Sequence, residues 1–529
     1  MTYTVGGIEV LQRDSPSPAL PNAKYPGLKL ETVVLPRGHQ KDPSRKAFRV
    51  DTILEKDIEV VTRNGHILQA DVYRPAETKE QVPILLAWSP YGKSGTSAFS
   101  LEIIPKRVGV ALAQTSDYES FEALDPAEWT ARGYAIVNIN SVGSFDSDGD
   151  LVWHSTEGGR NGYDAIEYLA KLPWCNGKIS LVGNSWLAMV QWFIAAKKPP
   201  HLTCIAPLEG SSDIYRESLC RGGVPNKAFW GYLQDCLFGS HKAEDITGML
   251  DQYPLQNAYW ADKRADMSKI NIPAYVLASY STGLHTDPEI NHHFTDWPIP
   301  ETNYSTLYLS SENKLVKAPS SKGVTLSYQS DVPDMQVDAQ VEELSFEYTF
   351  KERTYLIGYP RAVLYISTEE SNDMDVFVSL RKADSQGNVL RNINIPLEDL
   401  GMEADEVPLV NPLVYTGPSG ILRASHRKVD VAKSKPYWPF HPHDERELLE
   451  PGQIVKLEIG LWSAGIVFEA GEKLMLRVAG HHMVVAEFEH LRGGFKTENK
   501  GRHKVHIEPE YQSHVILPFV HSAVVCGSK

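Results

Sequence analysis

The segment from Lys178 to Lys197 constrains the fold of this chain more than any other. An apolar run, Ile179–Val182, leads into Gly183-Asn184-Ser185, and an amphipathic stretch follows. A strand, a sharp turn with a serine at its tip and a helix are typical of a nucleophile elbow, in which the turn strains the serine backbone. The serine then precedes a helix N-terminus, where backbone N–H groups stabilise developing negative charge. Leu187 departs from the small residue usual at that position, and an ordinary turn with a capping serine is the alternative.

Short apolar runs recur along the first 310 residues and are bounded by turn residues. They are Ile84–Trp88, Ala135–Ile139, Ile179–Val182, Cys204–Leu208, Ala274–Ala278 and Thr306–Leu309. This pattern is typical of strands that are buried on both faces of a parallel sheet. Asn161–Lys171 carries apolar residues at helical spacing between two of the runs. We therefore predict an open α/β sheet with right-handed crossovers and an active site beyond the carboxyl ends of its strands.

The remaining segments divide the chain further. Residues 1–50 are rich in proline and predict an arm that wraps the surface, and Asn64-Gly65 joins two β-type runs in a predicted hairpin. Residues 51–210 and 269–325 are assigned to the α/β domain, and 211–268 to a helical cap. Residues 326–529 carry short alternating runs typical of a β-sandwich or jelly roll. The cap aromatics either pack its own small core or contact a substrate, and Phe229 and Trp230 are the substrate-binding candidates.

Composition excludes several classes of function. The chain has 529 residues, which predicts two or three domains, and a net charge of −15, which disfavours nucleic acids and anionic membranes. Its five cysteines are scattered without a CxxC pair, so reduced thiols are expected and a disulfide frame or zinc site is not. With no apolar signal region or membrane-length segment, a cytoplasmic protein is predicted. We expect a small-molecule substrate and no metal or cofactor, and a homo-oligomer stays open.

Several motifs together resemble the CocE/NonD hydrolase family, which includes cocaine esterase, α-amino-acid ester hydrolases and X-prolyl dipeptidyl peptidases. They are Ser89-Pro-Tyr-Gly-Lys93, Glu157-Gly-Gly-Arg-Asn-Gly-Tyr-Asp164, Gly183-Asn-Ser-Trp-Leu-Ala188, Leu422-Arg-Ala-Ser-His-Arg427 and Val467-Phe-Glu-Ala-Gly471. The resemblance implies an α/β-hydrolase domain with a helical cap and a C-terminal jelly roll. It also implies that Ser185 is the nucleophile and that the Tyr91 hydroxyl and the Trp186 N–H form an oxyanion hole.

The chain departs from the family at the other members of the catalytic triad. The resemblance implies an aspartate at the position that Thr282 occupies here. It also implies a histidine after the run Thr306–Leu309, yet residues 294–425 contain no histidine. His285, in the loop after Ala274–Ala278, is the alternative base, paired with Asp287 or with a carboxylate of the cap. A structural role for His285 is the competing interpretation. Tyr280 and Thr282 are further substrate-binding candidates.

Three hypotheses of function follow from this degenerate triad. The first is a serine hydrolase that acts on an ester or amide of a small molecule with a displaced base. The second is an isomerase, cyclase or lyase of specialised metabolism that uses the oxyanion hole without forming an acyl-enzyme. The third is a ligand-binding homologue without turnover. Labelling of Ser185 by a fluorophosphonate distinguishes the first from the other two.

Overall fold

The computed structural model describes residues 3–78, 80–93, 99–277, 296–334, 342–486, 488–521 and 524–525. The chain divides into two compact units, the first comprising Met1–Ser218 and Phe229–Ala278 and the second Leu219–Ala228 and Ser279–Lys529. No helix within the described ranges combines the length and the apolar character that a membrane crossing requires.

The first unit alternates strands and helices. Its strands are β1 (Thr4–Val5), β2 (Ile8–Glu9), β3 (Gln12–Asp14), β4 (Glu31–Leu35), β5 (Thr52–Val61), β6 (Ile67–Pro75), β7 (Val82–Ser89), β8 (Ala135–Asn140), β9 (Cys175–Asn184), β10 (Leu202–Leu208) and β11 (Lys242–Glu244). Its helices are α1 (Pro126–Trp129), α2 (Thr156–Leu169), α3 (Trp186–Ala195), α4 (Ala228–Cys236), α5 (Ile246–Gln252) and α6 (Ala258–Asp262).

A seven-stranded sheet in the order β10-β9-β7-β8-β6-β5-β4 forms the centre of this unit. Strands β10, β9, β7 and β8 are parallel, and β6, β5 and β4 continue antiparallel from β8. The N–H groups of Tyr275 and Leu277 donate to β10 carbonyls, so this segment runs alongside β10. The predicted α/β sheet and the predicted β5–β6 hairpin are confirmed.

Helices α2 and α3 cover one face of the sheet, because their apolar residues recur at helical spacing. Ile166 and Leu169 of α2 and Val190 and Ile194 of α3 join the core formed by the sheet. The two helices approach closely at Gly162, where a Cβ would lie 2.3 Å from Ile194 Cδ1. This packing fixes the start of α3 relative to the end of β9.

The first fifty residues contain more regular structure than the sequence indicates. Strand β4 forms the edge of the central sheet beside β5, and β3 pairs antiparallel with β11. Strand β4 alternates in burial from Glu31 to Leu35. Only Leu35 is buried, and the apolar run Val33–Leu35 is shorter than the runs by which the inner strands are identified.

The second unit is built of antiparallel strands. They are β12 (Asn303–Leu309), β13 (Leu315–Val316), β14 (Val324–Gln329), β15 (Glu343–Thr349), β16 (Thr354–Gly358), β17 (Arg361–Thr368), β18 (Asp375–Ala383), β19 (Asn392–Ile393), β20 (Val414–Tyr415), β21 (Ser419–Arg423), β22 (Val455–Gly460), β23 (Ala464–Phe468), β24 (Lys473–Ala479), β25 (Arg502–Ile507) and β26 (His514–Val520). One short α-helix, α7 (Leu397–Leu400), lies among the described residues of this unit.

A nine-stranded and a four-stranded sheet pack around a shared apolar core in this unit. Phe346 and Leu476 come from the smaller sheet, and Leu364 and Leu457 from the larger one. The predicted β-rich C-terminal domain is confirmed, whereas the jelly-roll connectivity stays a prediction.

The assignment of Thr306–Leu309 to the parallel sheet is wrong. Strand β12 contains this run and pairs antiparallel with β26 in the nine-stranded sheet of the second unit. Leu307 and Leu309 are buried while Tyr308 between them is not. The strand is therefore buried mainly on one face, as antiparallel strands commonly are.

Candidate active site

Ser185 lies in the strained turn between β9 and α3. Its backbone has φ 52° and ψ −113°, a conformation that non-glycine residues rarely adopt. Gly183 makes the turn feasible, because its φ is 134° and a Cβ there would lie 2.5 Å from Leu187 Cβ. The Ser185 N–H donates to the Leu208 carbonyl at 3.0 Å and fastens the turn to β10. The strained elbow predicted from the sequence is confirmed.

The first turn of α3 offers backbone donors next to this serine. The Ser185 carbonyl accepts hydrogen bonds from the N–H groups of Ala188 and Met189, so the hydrogen bonding of the helix begins at the elbow serine. The Trp186 N–H belongs to the first turn, where no carbonyl four residues earlier lies inside the helix. This N–H has no acceptor within the helix and lies against the Glu122 carboxyl group, so an anionic oxygen beside Ser185 would share this donor with Glu122.

Tyr91 follows strand β7 and is buried with 4% of its surface exposed. The Ser89 hydroxyl accepts a hydrogen bond from the Tyr91 N–H at 3.0 Å. The Tyr91 ring lies 5.5 Å from Phe121 and 6.2 Å from Trp186, centroid to centroid. Burial, with the nearby charge of Glu122, raises the pKa of Tyr91 well above its usual value. The hydroxyl therefore keeps its proton and can donate a hydrogen bond.

Glu122 is a functional candidate that the sequence analysis missed. Its carbonyl accepts a hydrogen bond of 3.0 Å from the Asn184 N–H, so its loop is attached to the elbow. Its Oε2 is screened from solvent and has no hydrogen bond of ordinary geometry to a described residue. The Ser185 and Asn184 side chains and the Trp186 N–H are nevertheless close enough to favour the ionised carboxylate.

The electrostatics of Glu122 favour a retained proton. Burial is the main cause and raises the pKa of its carboxyl group to about 8, and the negative charge of Glu209 acts in the same direction. The hydrogen-bond donors around the carboxyl group oppose this shift but do not cancel it. A carboxyl group with such a pKa exchanges protons near neutral pH, which is the property required of a general acid or base.

His154 packs behind the first turn of α3. The imidazole is buried, its Nε2 lies 3.3 Å from the Trp186 carbonyl oxygen, and the two rings are 4.2 Å apart. Burial lowers the pKa of His154 to about 3, so the ring is neutral. Its contact with the Trp186 main chain indicates that it positions the helix start.

The substrate-binding candidates have different surroundings. Trp230 is 4% exposed, donates to the Ser218 hydroxyl at 3.2 Å and lies 5.3 Å from the Trp153 ring. Phe229 is 38% exposed. A direct role in binding stays a prediction for both residues. His285, Tyr280 and Thr282 lie outside the described residues.

A buried ion-pair cluster supports the loop that carries Tyr91. Lys93 Nζ lies 2.5 Å from Asp57 Oδ1 and 3.0 Å from Asp71 Oδ1, and all three side chains are almost fully buried. Burial alone would lower the pKa of Lys93, but the carboxylates of Asp71 and Asp57 outweigh it and raise that pKa. The cluster joins β5, β6 and the loop that follows β7.

The carboxylates of residues 146–150 bind the protein itself. The Asp148 carboxylate accepts from the Ile67 N–H at 2.9 Å, and that of Asp150 from the Lys242 N–H at 3.1 Å. Within the described part of the chain, no group of three His, Cys, Asp or Glu side chains is arranged to hold a metal ion.

This fold and elbow define an α/β hydrolase with a β-rich C-terminal domain, and comparison with known families agrees. Residues 64–253 match the X-Pro dipeptidyl-peptidase (S15 family) model, and residues 274–516 match the X-Pro dipeptidyl-peptidase C-terminal non-catalytic domain. The chain belongs to the CocE/NonD, X-Pro dipeptidyl-peptidase-like family of hydrolases.

Individual proteins show the same family relationship. Cocaine esterase of Rhodococcus sp. (strain MB1 Bresler) is 29% identical over 160 residues, which are 30% of this chain and 24% of that protein. The match therefore spans about a quarter of the curated relative. A CocE/NonD family hydrolase from Staphylococcus aureus is 25% identical with a TM-score of 0.77, covering 93% of this chain and 97% of the other. An α-amino acid ester hydrolase, 15% identical with a TM-score of 0.64 over 89% and 97% of the two chains, shares the fold.

Proposed function

We propose that this protein is a serine hydrolase that cleaves an ester or amide bond of a small molecule through Ser185. The observation that carries the proposal is the strained backbone of Ser185, with φ 52° and ψ −113°, between β9 and α3. Strain of this kind persists only where the surrounding structure enforces it, and here Gly183 and the bond to Leu208 do so. The esterase and peptidase relatives support the same reaction class.

The neighbouring groups fit the needs of acyl transfer. The Ser185 hydroxyl attacks the carbonyl carbon, and the carbonyl oxygen becomes negatively charged. We assign the Tyr91 hydroxyl and the Trp186 N–H as the donors to this oxygen. The raised pKa of Tyr91 keeps its donor proton in place throughout the working pH range. One such donor typically contributes about 3 kcal/mol to transition-state stabilisation.

The substrate is expected to be neutral or cationic and partly apolar. The formal net charge of the protein is −15, which disfavours anionic substrates. Tyr91, Phe121 and Phe99 form an aromatic cluster beside the elbow, with centroid distances of 5.1 to 5.7 Å. Such a surface accommodates apolar acyl or leaving groups.

Hydrolysis of a panel of p-nitrophenyl esters tests the proposal. Wild-type protein is expected to release p-nitrophenol, whereas Ser185→Ala loses this activity. Ser180→Ala is the matched control, because Ser180 lies on β9, the strand that leads into the elbow, and its hydroxyl pairs with Cys204 Sγ at 3.1 Å. Equal activity of folded Ser185→Ala and wild-type protein contradicts a nucleophilic role for Ser185.

A non-hydrolytic reaction in the same pocket is the second candidate. The observation that favours it is Glu122, whose pKa of about 8 leaves it mostly protonated at neutral pH. A neutral carboxyl group beside an oxyanion hole can polarise a carbonyl or protonate an enolate. In that case Ser185→Ala stays active, Tyr91→Phe loses activity, and the product has the mass of the substrate.

A further inference from the structure

We propose that Glu122 is the general base that activates Ser185, in the role that histidine has in the usual triad. This inference rests on the proposed serine-hydrolase function. It assigns a catalytic role to a residue outside every motif that identifies the family, and it explains how Ser185 can react although residues 294–425 contain no histidine.

The backbone of the Glu122 loop is attached to both parts of the site. The Glu122 carbonyl accepts from the Asn184 N–H at 3.0 Å. Two residues earlier, the Ser120 hydroxyl donates to the Gly92 carbonyl at 2.5 Å, next to Tyr91. The intervening Phe121 packs edge-on against the Tyr91 ring. Glu122 is therefore held between the elbow and the loop that carries the oxyanion tyrosine.

The carboxyl group of Glu122 lies beside the proton that must be removed. The Ser185 hydroxyl and the Asn184 side chain both act on it as hydrogen-bonding neighbours, and the Trp186 N–H is a third. The screened Oε2 has no partner of ordinary geometry among the described residues, so it is free to accept the serine proton. The Asn184 side chain is placed to orient the carboxyl group, as the acid orients histidine in a triad.

Burial is the main determinant of the strength of Glu122 as a base, and a nearby charge adds to it. Glu209, which follows β10, raises its pKa, and Tyr91, which follows β7, is neutral. With a pKa of about 8, the carboxylate is a stronger base than an ordinary imidazole, whose pKa is about 6.5. Among the described residues, the buried His154 near the elbow is bound to the Trp186 carbonyl, and its pKa of about 3 makes it a poor base.

The reaction is balanced with this single carboxyl group. The Glu122 carboxylate takes the Ser185 proton as Oγ bonds to the carbonyl carbon, and the carbonyl electron pair moves to the oxygen. When this pair returns, the bond to the alcohol or amine breaks and Glu122 gives its proton to the leaving group. Glu122 then takes a proton from water, which attacks the acyl-enzyme, and returns it to Ser185 as the acid departs.

The rate at which a fluorophosphonate probe labels the protein, measured from pH 6 to 10, tests this role. For wild-type protein the rate is expected to rise with pH around a midpoint near 8. Glu122→Gln should lower the rate by about 10²- to 10⁴-fold and remove the midpoint. Glu122→Asp should recover part of the rate. Glu119→Gln is the matched control, because Glu119 lies in the same loop and shares a burial-raised pKa.

A variant outside the reacting groups provides a second readout. Glu209→Gln removes a charge that raises the pKa of Glu122, so the midpoint of labelling should move to lower pH. A merely structural role for Glu122 predicts no such displacement.

The outcomes separate the two proposals. Absence of labelling in folded wild-type protein at every pH overturns the serine-hydrolase function itself. Normal labelling of wild-type and Glu122→Gln, with the same midpoint, overturns only the role of Glu122. Loss of labelling in His285→Ala, together with a normal labelling rate in Glu122→Gln, assigns the base to His285. This result also overturns the proposed role of Glu122.

Discussion

The Asn184 N–H donates a hydrogen bond of 3.0 Å to the main-chain carbonyl of Glu122. This bond joins the loop before α1 to the residue that precedes the elbow serine. It places a carboxyl group beside Ser185 without any contribution from the region where the family histidine is expected. Asn184 belongs to a family motif and Glu122 does not, so the proposed role of Glu122 depends on a residue outside the motifs.

Glu122→Gln should change how stability depends on pH. The carboxyl group has an ordinary pKa of 4.5 and a pKa of about 8 in the folded protein. Between these values the unfolded chain is ionised while the folded protein holds a proton, so the stability contributed by Glu122 is lost as the pH rises from 4.5 to 8. The unfolding midpoint of Glu122→Gln should exceed that of wild-type protein by a margin that grows as the pH rises across this range.

Glu128→Gln is the control for this pH dependence. Hydrogen bonds from Lys46 and Arg132 lower the pKa of Glu128 to about 2, so its ionisation is complete below the range of the experiment. This variant should differ from wild-type by a constant offset above pH 5. Parallel pH profiles for wild-type and Glu122→Gln contradict the raised pKa of Glu122.

Tyr91→Phe should lower kcat for ester hydrolysis by about 10²- to 10³-fold with little change in KM, because the hydroxyl acts on charge that develops in the transition state. Steady-state kinetics on a p-nitrophenyl ester measure both constants. Tyr118→Phe is the control, since its hydroxyl pairs with His39 at 2.8 Å. A kcat for Tyr91→Phe equal to that of the control removes Tyr91 from the oxyanion hole.

Gly183→Ala should destabilise the first unit severely. Its φ is 134°, and a Cβ would lie 2.5 Å from Leu187 Cβ. Gly133→Ala separates the cost of backbone strain from the cost of a steric clash. Gly133 has φ 84°, and no atom lies within 4 Å of the added Cβ. The control should lose only about 1–2 kcal/mol, the cost of a left-handed backbone. Thermal unfolding compares them, and an equal loss in both variants means that the elbow has room for a side chain.

Lys93→Met should destabilise the protein by about 3–5 kcal/mol, because it leaves the buried carboxylates of Asp57 and Asp71 without a cation. Arg132→Met breaks an exposed pair with Glu128, where the arginine side chain is 57% exposed, and should cost about 1 kcal/mol or less. Urea unfolding measures both changes. Similar losses in the two variants are incompatible with a desolvated ion-pair cluster.

The parallel strands and the elbow could be predicted because their signals are local. Strand β8 is buried along its whole length, and its sequence is correspondingly apolar over most of its residues. Gly183 and Ser185 stand directly between a strand and a helix in the sequence. The backbone strain follows from that turn, and the observed conformation of Ser185 confirms it.

The strand β12 shows where such signals fail. Thr306–Leu309 is a short apolar run, and such a run has the same sequence pattern in a parallel and in an antiparallel sheet. Only its pairing with β26 assigns it to the second unit. The partner lies about two hundred residues further along the chain, beyond the reach of any pattern within the run.

Glu122 could not be selected from the sequence. It is one of four acidic residues between 117 and 125, with Asp117, Glu119 and Asp125. Nothing in their spacing distinguishes a residue beside the serine from its neighbours. Its pKa of about 8 arises from tertiary burial beside the elbow, and its proximity to Ser185 depends on the bond to Asn184.

Peptide mass spectrometry after incubation with a fluorophosphonate tests the central claim most directly. We predict a single adduct, located on Ser185, that forms faster at pH 9 than at pH 6 and is absent from Ser185→Ala. Folded wild-type protein that carries no adduct, or an adduct on another residue alone, contradicts the claim that Ser185 is a catalytic nucleophile.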